Sequence, residues 1–264
     1  MSSIVSKFTA LVRAVLGKSQ ACPKTAAIVL AAGSSTRMDT DIPKQLIEIN
    51  DIPIMIRSLL AFENSESISE IVLVAPEEYV SYYRSLARSY KIKKLSAVTA
   101  GGNTRNESAS LGFKRVSSDV KFVAIHDAAR CLVTPEIVER VCRAAYKYNA
   151  ATAATRTTDT VKISGKSKFI DRTENRIKVW LAQTPQVFNA DLYRAASYLA
   201  ADSKLSPTDD NGLIENVKHK IRLVECGKYN IKITTPDDLI VAKAILDARE
   251  TDKLEPLPDD KDED

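Results

Sequence analysis

Apolar and polar positions along this chain fall into two repeating patterns. Continuous apolar runs occupy 26–32 (AAIVLAA), 70–76 (EIVLVAP), 95–100 (LSAVTA), 121–127 (KFVAIHD), 150–155 (AATAAT) and 220–226 (KIRLVEC). Runs of this length without alternation are the pattern of strands buried on both faces. Between them lie amphipathic stretches that predict helices over 53–63, 77–90, 104–116, 135–148, 190–201 and 236–249. Thr134-Pro135 and Thr235-Pro236 supply an N-cap hydroxyl followed by proline at the first helical position. Strands alternating with helices imply βαβ units and a mostly parallel sheet covered on both sides.

One segment departs from this rhythm. TDTVKISGKSKFIDRT, residues 158–173, reads as two short strands around a Gly165-Lys166 turn. Such a hairpin projects as an arm, about 158–178, with edges that a second subunit would cover. The predicted fold is therefore α/β: a Rossmann-like three-layer αβα sandwich with a mostly parallel sheet and a projecting β-hairpin arm for dimerisation. No internal repeat and no long Gly/Ser linker divides the chain, so 25–250 is expected to form one domain.

Composition narrows the class. With 44% hydrophobic and 27% charged residues among 264, a folded core is expected rather than disorder. A net charge of +4 is too mild for a nucleic-acid binder. Cys22, Cys131, Cys142 and Cys226 form no C-x-x-C pair, which fits reduced thiols and a cytoplasmic location. Two histidines, His126 and His219, argue against a His-rich zinc site. Residues 1–24 form a basic amphipathic extension, too short and too interrupted by charge to span a bilayer. Three roles fit it: a helix docked on its own domain or a partner, a membrane-surface helix, or a targeting remnant. Residues 251–264 are acidic, carry two prolines, and are expected to form a disordered, solvating tail.

Ligands of parallel sheets lie beyond the carboxyl ends of the strands. Three polar clusters fall there. The run AAIVLAA empties into Gly33, Ser34, Ser35 and Thr36, then Arg37, with Lys44 seven residues later. Small residues let backbone amides approach a polyphosphate, and the two cations neutralise it. This is neither the G-x-x-x-x-G-K-[ST] loop nor G-x-G-x-x-G, which weakens the ATPase and dehydrogenase readings. The second cluster, Gly101 to Ser108 (GGNTRNES), is a small-residue turn entering a helix. The third, IHDAAR over 125–130, places Asp127 at a strand end, where it could hold Mg²⁺ or receive a hydroxyl, and Arg130 within reach of a phosphate. His126 is read as a satisfied structural imidazole. Lys232, in NIKITTPDD, points toward the same cleft or is simply a solvated lysine.

AAGSSTRM with IPKQL, GGNTRNES, IHDAAR, TDTVK, WLAQTPQVF, SPTDD and NIKITTPDDL follow one another in an order that closely resembles the 2-C-methyl-D-erythritol 4-phosphate cytidylyltransferase family. The resemblance covers all but the first 24 residues and the tail. It implies an enzyme in which the substrate's phosphate attacks the α-phosphorus of CTP and releases pyrophosphate, as a step of non-mevalonate isoprenoid biosynthesis. By the family's pattern, Arg37 and Lys44 stabilise the triphosphate and the transition state, and Lys232 holds the α-phosphate and the incoming phosphate. Ala31, Ala32, Gly33, Gly102, Asn103, Ser108 and Ala128 line the CTP pocket. Mg²⁺ is held mainly by the CTP phosphates, with Asp127 as a further ligand. The sugar-phosphate site is shared across a homodimer, with Asp127, Arg130 and Thr208 from one subunit and Thr160, Arg176 and Thr184 from its partner. Spacing to Trp180 and QTPQ selects Arg176 over Arg172 as the phosphate-positioning residue.

Two departures bear on loop geometry: Cys131 stands where the family has proline, and Asn211-Gly212 follow SPTDD where small Ala/Ser-type residues are common. A cytidylyltransferase acting on ribitol 5-phosphate is the nearest rival, disfavoured by Trp180 and the TDTVK arm. A rival of another class is a catalytically silent scaffold on the same fold, which the four cations Arg37, Lys44, Arg176 and Lys232 argue against. A molybdenum-cofactor guanylyltransferase shares only the first loop.

Overall fold

The structure is a computed structural model that describes residues 22–33, 42–202 and 207–257. Eleven strands are formed among them: β1 (Thr25–Leu30), β2 (Glu48–Ile49), β3 (Ile52–Pro53), β4 (Glu70–Ala75), β5 (Leu95–Ala100), β6 (Phe122–Asp127), β7 (Ala150–Arg156), β8 (Lys162–Ser164), β9 (Ile170–Thr173), β10 (Trp180–Asn189) and β11 (Arg222–Glu225). The helices are α1 (Ile54–Glu63), α2 (Val80–Ser89), α3 (Arg105–Phe113), α4 (Pro135–Tyr148), α5 (Ala190–Asp202), α6 (Asn211–Asn216) and α7 (Pro236–Glu250). Every predicted strand and helix is present, with boundaries shifted by a few residues. The Thr134 hydroxyl accepts the Ile137 amide at the start of α4 as expected, whereas at α7 the Asp238 carboxylate closes the turn, accepting the Thr235 amide at 2.8 Å and its hydroxyl at 3.1 Å.

Seven strands form one sheet in the order β11-β7-β10-β6-β1-β4-β5. All neighbours run parallel except β10, which is antiparallel to both β6 and β7. The two faces carry separate cores. Ala27, Val29, Leu73 and Ala124 pack with α1, α2 and α4; Ala26, Ile28, Val123 and Phe188 pack with α3, α5 and α6. A third cluster joins Ile49, Ile54 and Leu132 to α7. Burial on both faces explains why these strands read as unbroken apolar runs. The segment beyond Glu250, expected to be solvated, is packed in its first half: Leu254 and Leu257 are half-buried against these clusters.

Strand β10 was not legible in the sequence. Its residues Gln183, Thr184 and Gln186 are polar yet buried, and Pro185 interrupts the run after a cis peptide bond. Proline cannot donate to the ladder, and the pairing with β7 shifts register between Ala182 and Gln186. The strand survives because its polar side chains find partners outside it. Asn230 Nδ2 donates to Gln183 Oε1 at 2.9 Å, and the Asp210 and Asn211 amides donate to Gln186 Oε1 at 3.0 and 3.2 Å.

The arm is formed by β8 and β9, paired antiparallel. It leaves Phe169 and Ile170 exposed, as are Ile177 and Leu181 on its exit. The N-terminal extension's first 21 residues, and residues 258–264 of the acidic tail, lie outside the described residues. Among the described residues no helix is long and apolar enough to cross a membrane.

Helix α3 lies so close to the sheet that Gly112 has no room for a side chain. A Cβ there would sit 2.5 Å from Ile28 Cγ2 and 2.8 Å from Val74 Cγ2. Both neighbours are fully buried and cannot retreat. Gly112→Val is expected to destabilise the fold by about 1–3 kcal/mol through overpacking, read as a lowered thermal midpoint; an unchanged midpoint would refute this packing.

Candidate active site

Parallel pairing brings the strand exits together. Leu30 lies beside Asp127 and Ala75 beside Ala100, so the chain after β1, the Gly-Gly turn after β5 and the end of β6 share one edge. A cavity of about 370 Å³ opens there. Its wall includes Ala32, Gly33, Lys44, Gln45, Gly102, Asn103, Thr104, Arg105, Ser108, Asp127, Ala129 and Lys232. Seven of the residues expected around CTP or its phosphates are thus on one wall: Ala32, Gly33, Lys44, Gly102, Asn103, Ser108 and Lys232. Ala31 and Ala128 are not. Both are fully buried behind it, and the Ala128 backbone is committed, its amide to Leu30 O at 3.0 Å and its carbonyl to the Ser58 hydroxyl at 2.8 Å. Arg37 lies outside the described residues.

Each functional group is held by local backbone geometry. The Gly-Gly turn enters α3 through Thr104, whose hydroxyl caps the Glu107 amide while the Glu107 carboxylate bonds back. Gly102 and Ser108 are tied together, the Gly102 amide donating to Ser108 Oγ at 3.1 Å. A Cβ on Gly101 would meet Ala32 Cβ at 2.5 Å, so this turn approaches the β1 exit only as glycine. Lys232 follows β11 on a segment anchored by the Ile233 amide on Ala129 O at 2.8 Å. The Ile233 carbonyl in turn accepts from Lys44 Nζ at 2.9 Å, which places the two lysines on adjacent walls.

Asp127 is the electrostatic centre. Its Oδ1 accepts from Arg105 Nε at 3.0 Å and its Oδ2 from Lys232 Nζ at 2.7 Å. Burial alone would raise its pKa, but the two cations outweigh it and hold the carboxyl well below the usual range. Arg105, absent from the sequence-based site, bridges Asp127 to the fully buried Asp210, its Nη1 lying 2.5 Å from Asp210 Oδ2. Its position directly after the Gly-Gly turn was a signal, but its carboxylate partners, 22 and 105 residues away in sequence, were not visible there.

Thr184 corrects an expectation. It is 4% exposed and lies in its own chain's cluster rather than reaching a partner's site. Its hydroxyl accepts the Asp127 amide at 3.1 Å and shares a hydrogen bond with His126 Nδ1 at 3.0 Å. The cause is β10, which passes between β7 and β6 and buries its middle in the sheet. His126 is fully buried beside Phe62, as expected of a structural imidazole, but it is satisfied only at Nδ1; Nε2 has no hydrogen bond among the described residues.

The remaining polyol-phosphate candidates are dispersed. Arg130 is held by two carbonyls, Nη1 to Asn230 O at 2.9 Å and Nη2 to Ala182 O at 3.4 Å. Thr208 is exposed two residues before Asp210. Thr160 and Arg176 are exposed on the arm, outside their own chain's cavity. Arg176 donates to the Thr158 carbonyl at 3.1 Å, whereas Arg172 is paired with Glu174 at 2.6 Å. The two family departures are accommodated. Cys131 is a buried apolar filler with its thiol pushed up to about 11 by burial. Asn211 donates to Asp209 and Thr152, and Gly212 sits where a Cβ would be 2.5 Å from Pro207 Cβ. Among the described residues no group of three His, Cys, Asp or Glu side chains could hold a metal ion.

Burial pushes His126 down to about 3 from its usual 6.5. The unfolded chain then takes up a proton near pH 6.5 that the folded chain refuses until about pH 3, so stability falls on acidification between these values. Asp127 adds to the loss below its usual value near 3.8, because the folded carboxylate stays ionised. The expected slope from His126 is about 1.4 kcal/mol per pH unit. Urea titrations from pH 7 to pH 4.5 should show it, and His126→Asn should flatten it; equal slopes in both proteins would refute the assignment.

A family model described as 2-C-methyl-D-erythritol 4-phosphate cytidylyltransferase (IspD) matches residues 25–248. A protein of that name from Pelotomaculum thermopropionicum is 38% identical over 228 residues, covering 86% of this chain and 96% of the relative. One from Syntrophus aciditrophicus is 39% identical over 229 residues, covering 86% and 98%. The solved structure of 4-diphosphocytidyl-2C-methyl-D-erythritol synthase from Anaerococcus prevotii aligns with a TM-score of 0.77 at 31% identity, covering 85% of this chain and 96% of that one. The Thermus thermophilus cytidylyltransferase structure aligns at 0.69 and 28% identity, covering 84% and 98%. The sheet-edge cavity, its lysines and these likenesses together place the chain: it belongs to the 2-C-methyl-D-erythritol 4-phosphate cytidylyltransferase family.

Proposed function

We propose that this chain transfers the cytidylyl group of CTP to 2-C-methyl-D-erythritol 4-phosphate. The products are 4-diphosphocytidyl-2-C-methyl-D-erythritol and pyrophosphate. The observation that carries the reading is the cavity that Lys44 and Lys232 line together with Gly102 of the Gly-Gly turn, in a chain of this family. A phosphate oxygen of the polyol attacks the α-phosphorus; the new P–O bond forms as the bond to the β-phosphate's bridging oxygen breaks. The nucleophile is already an anion, so no general base is required. What the site must do is bring two anions together and stabilise the charge of the five-coordinate transition state.

Lys44 and Lys232 supply that charge from adjacent walls, and Arg37 adds to it. Backbone groups around Gly33, Gly102 and Asn103 accommodate the nucleotide, with Ser108 behind them. Asp127 and Arg130 receive the polyol phosphate beside Thr208, while Thr160 and Arg176 arrive from the arm of a second subunit. Two features support the arm's role: its exposed Phe169, Ile170 and Ile177, and an Arg176 side chain with no carboxylate partner among the described residues. Asp127 is the one carboxylate on the cavity wall among the described residues, and both its oxygens already carry cations. A Mg²⁺ ion would therefore be held mainly by the nucleotide's phosphate oxygens, where it neutralises charge. The cytoplasm is the proposed location, on the strength of Cys131 and Cys142, both buried and neither in a disulfide.

Pyrophosphate release with CTP should be faster with methylerythritol phosphate than with ribitol 5-phosphate, and a reversed preference would move the assignment to the rival substrate. Lys44→Ala and Lys232→Ala are each expected to lower kcat by more than about tenfold with little change in thermal midpoint; unaltered kcat in either would remove that lysine from the site. Mixing Arg176→Ala with Lys232→Ala subunits should restore part of the activity if sites are shared. Failure of such mixtures to exceed the single variants would argue for sites complete within one chain.

A further inference from the structure

Asp210 makes no contact with the cavity, yet it is the most constrained carboxylate near it. Its side chain is fully buried at the start of α6. One oxygen takes Arg105 Nη1 at 2.5 Å, and the other accepts from the Tyr193 hydroxyl at 2.8 Å. Its own amide donates to Gln186 Oε1 on β10 at 3.0 Å. Tyr193 is itself locked, stacked on Phe188 with ring centroids 5.8 Å apart and edge-on to Phe113 at 5.1 Å. A carboxylate fixed this way from three elements cannot follow a ligand; it can only hold something else still.

What it holds is Arg105. The guanidinium is a rigid planar fork, and here its nitrogens are divided between two carboxylates on different elements. Nε fixes Asp127 Oδ1, which leaves Asp127 Oδ2 turned to Lys232. The order Tyr193–Asp210–Arg105–Asp127–Lys232 is one continuous chain of hydrogen bonds from the core beneath the sheet to the ammonium on the cavity wall. Arg105 is paired on both sides by carboxylates, whereas Lys232 is paired with only one. We propose that Arg105, clamped by Asp210, is a positioning residue for the transfer: it fixes Asp127 and, through it, the ammonium of Lys232. The inference rests on the function proposed above. It assigns Asp210 and Arg105 a part in kcat rather than in nucleotide affinity. Arg105 Nη2, buried and without a hydrogen bond among the described residues, is the group that would touch phosphate if Arg105 instead bound ligand directly.

The test compares Asp210→Asn, Arg105→Gln, the double variant and Tyr193→Phe in the full-length protein. Asp210→Asn and Arg105→Gln are each expected to lower kcat roughly tenfold with KM for CTP within about twofold, because only the placement of Lys232 is disturbed. The double variant should be no slower than either single variant by more than about twofold, since both act through one link. Losses that multiply toward about a hundredfold would overturn the clamp. So would an Arg105→Gln variant whose KM for CTP rises about tenfold with kcat retained, the mark of direct ligand binding. Where Arg105→Gln strands the Asp210 charge and fails to fold, the double variant and Tyr193→Phe carry the comparison, the latter keeping the ring stack. A readout independent of turnover is the crystal structure of Asp210→Asn: Asp127 should turn from Lys232, and an unchanged Asp127–Lys232 contact would refute the proposal. Wild-type protein that fails to turn over CTP with methylerythritol phosphate would count against the reaction, and that structure would still decide the clamp.

Discussion

A carboxylate removed from water must be paired, and each pairing must be supported by whatever carries the cation. At the carboxyl edge of this sheet that requirement falls on Asp127, and much of the surrounding architecture follows from meeting it. Arg105 comes from the first turn of α3 and Lys232 from the segment between β11 and α7. The amide of Asp127 is received by Thr184 on β10. Three otherwise unrelated stretches of chain are tied to one residue, two at its side chain and one at its amide. The pairing works only because α3 can lie close to the sheet at Gly112 and the turn before it can close at Gly101.

The antiparallel strand β10 shows the same rule on a larger scale. Placing Gln183, Thr184 and Gln186 inside a sheet costs solvation that apolar residues would not lose. Gln183 and Gln186 find partners in the segments around Asn230 and Asp210, and Thr184 finds its own in Asp127 and His126. Those are the segments that also flank the cavity. The polar interior of β10 therefore works as a scaffold: it fixes the loops that carry the chemistry, at the expense of an all-apolar core in the middle of the sheet.

How much of this was legible in the sequence follows from where each constraint resides. Apolar runs such as 26–32 and 121–127 identified their strands because both faces are buried, and that needs only local pattern. The capped helices α4 and α7 were legible for a similar reason, since Thr-Pro carries its own geometry. Lys44, Lys232, Gly102 and Ser108 were placed at the site by motif order. Strand β10 was hidden because its polar residues are satisfied by residues distant in sequence, which no window reveals. Arg105 and Asp210 were hidden likewise: an arginine in a turn looks solvated until two carboxylates from elsewhere close on it. Thr184 was expected at a partner's site yet is buried beside Asp127 of its own chain, because the motif gives a position and not the strand's place in the sheet.

The Lys232–Asp127 contact has a consequence for exchange at the site. An ammonium that already has a carboxylate 2.7 Å away does not gain a counterion when an anion arrives; it trades one for another. The trade makes ground-state association weaker than a bare cation would give. It also gives the lysine somewhere to return, so that a departing anion leaves behind a neutral pair rather than an exposed charge. The same short contact that organises the cavity wall would hasten the clearing of product after each turnover.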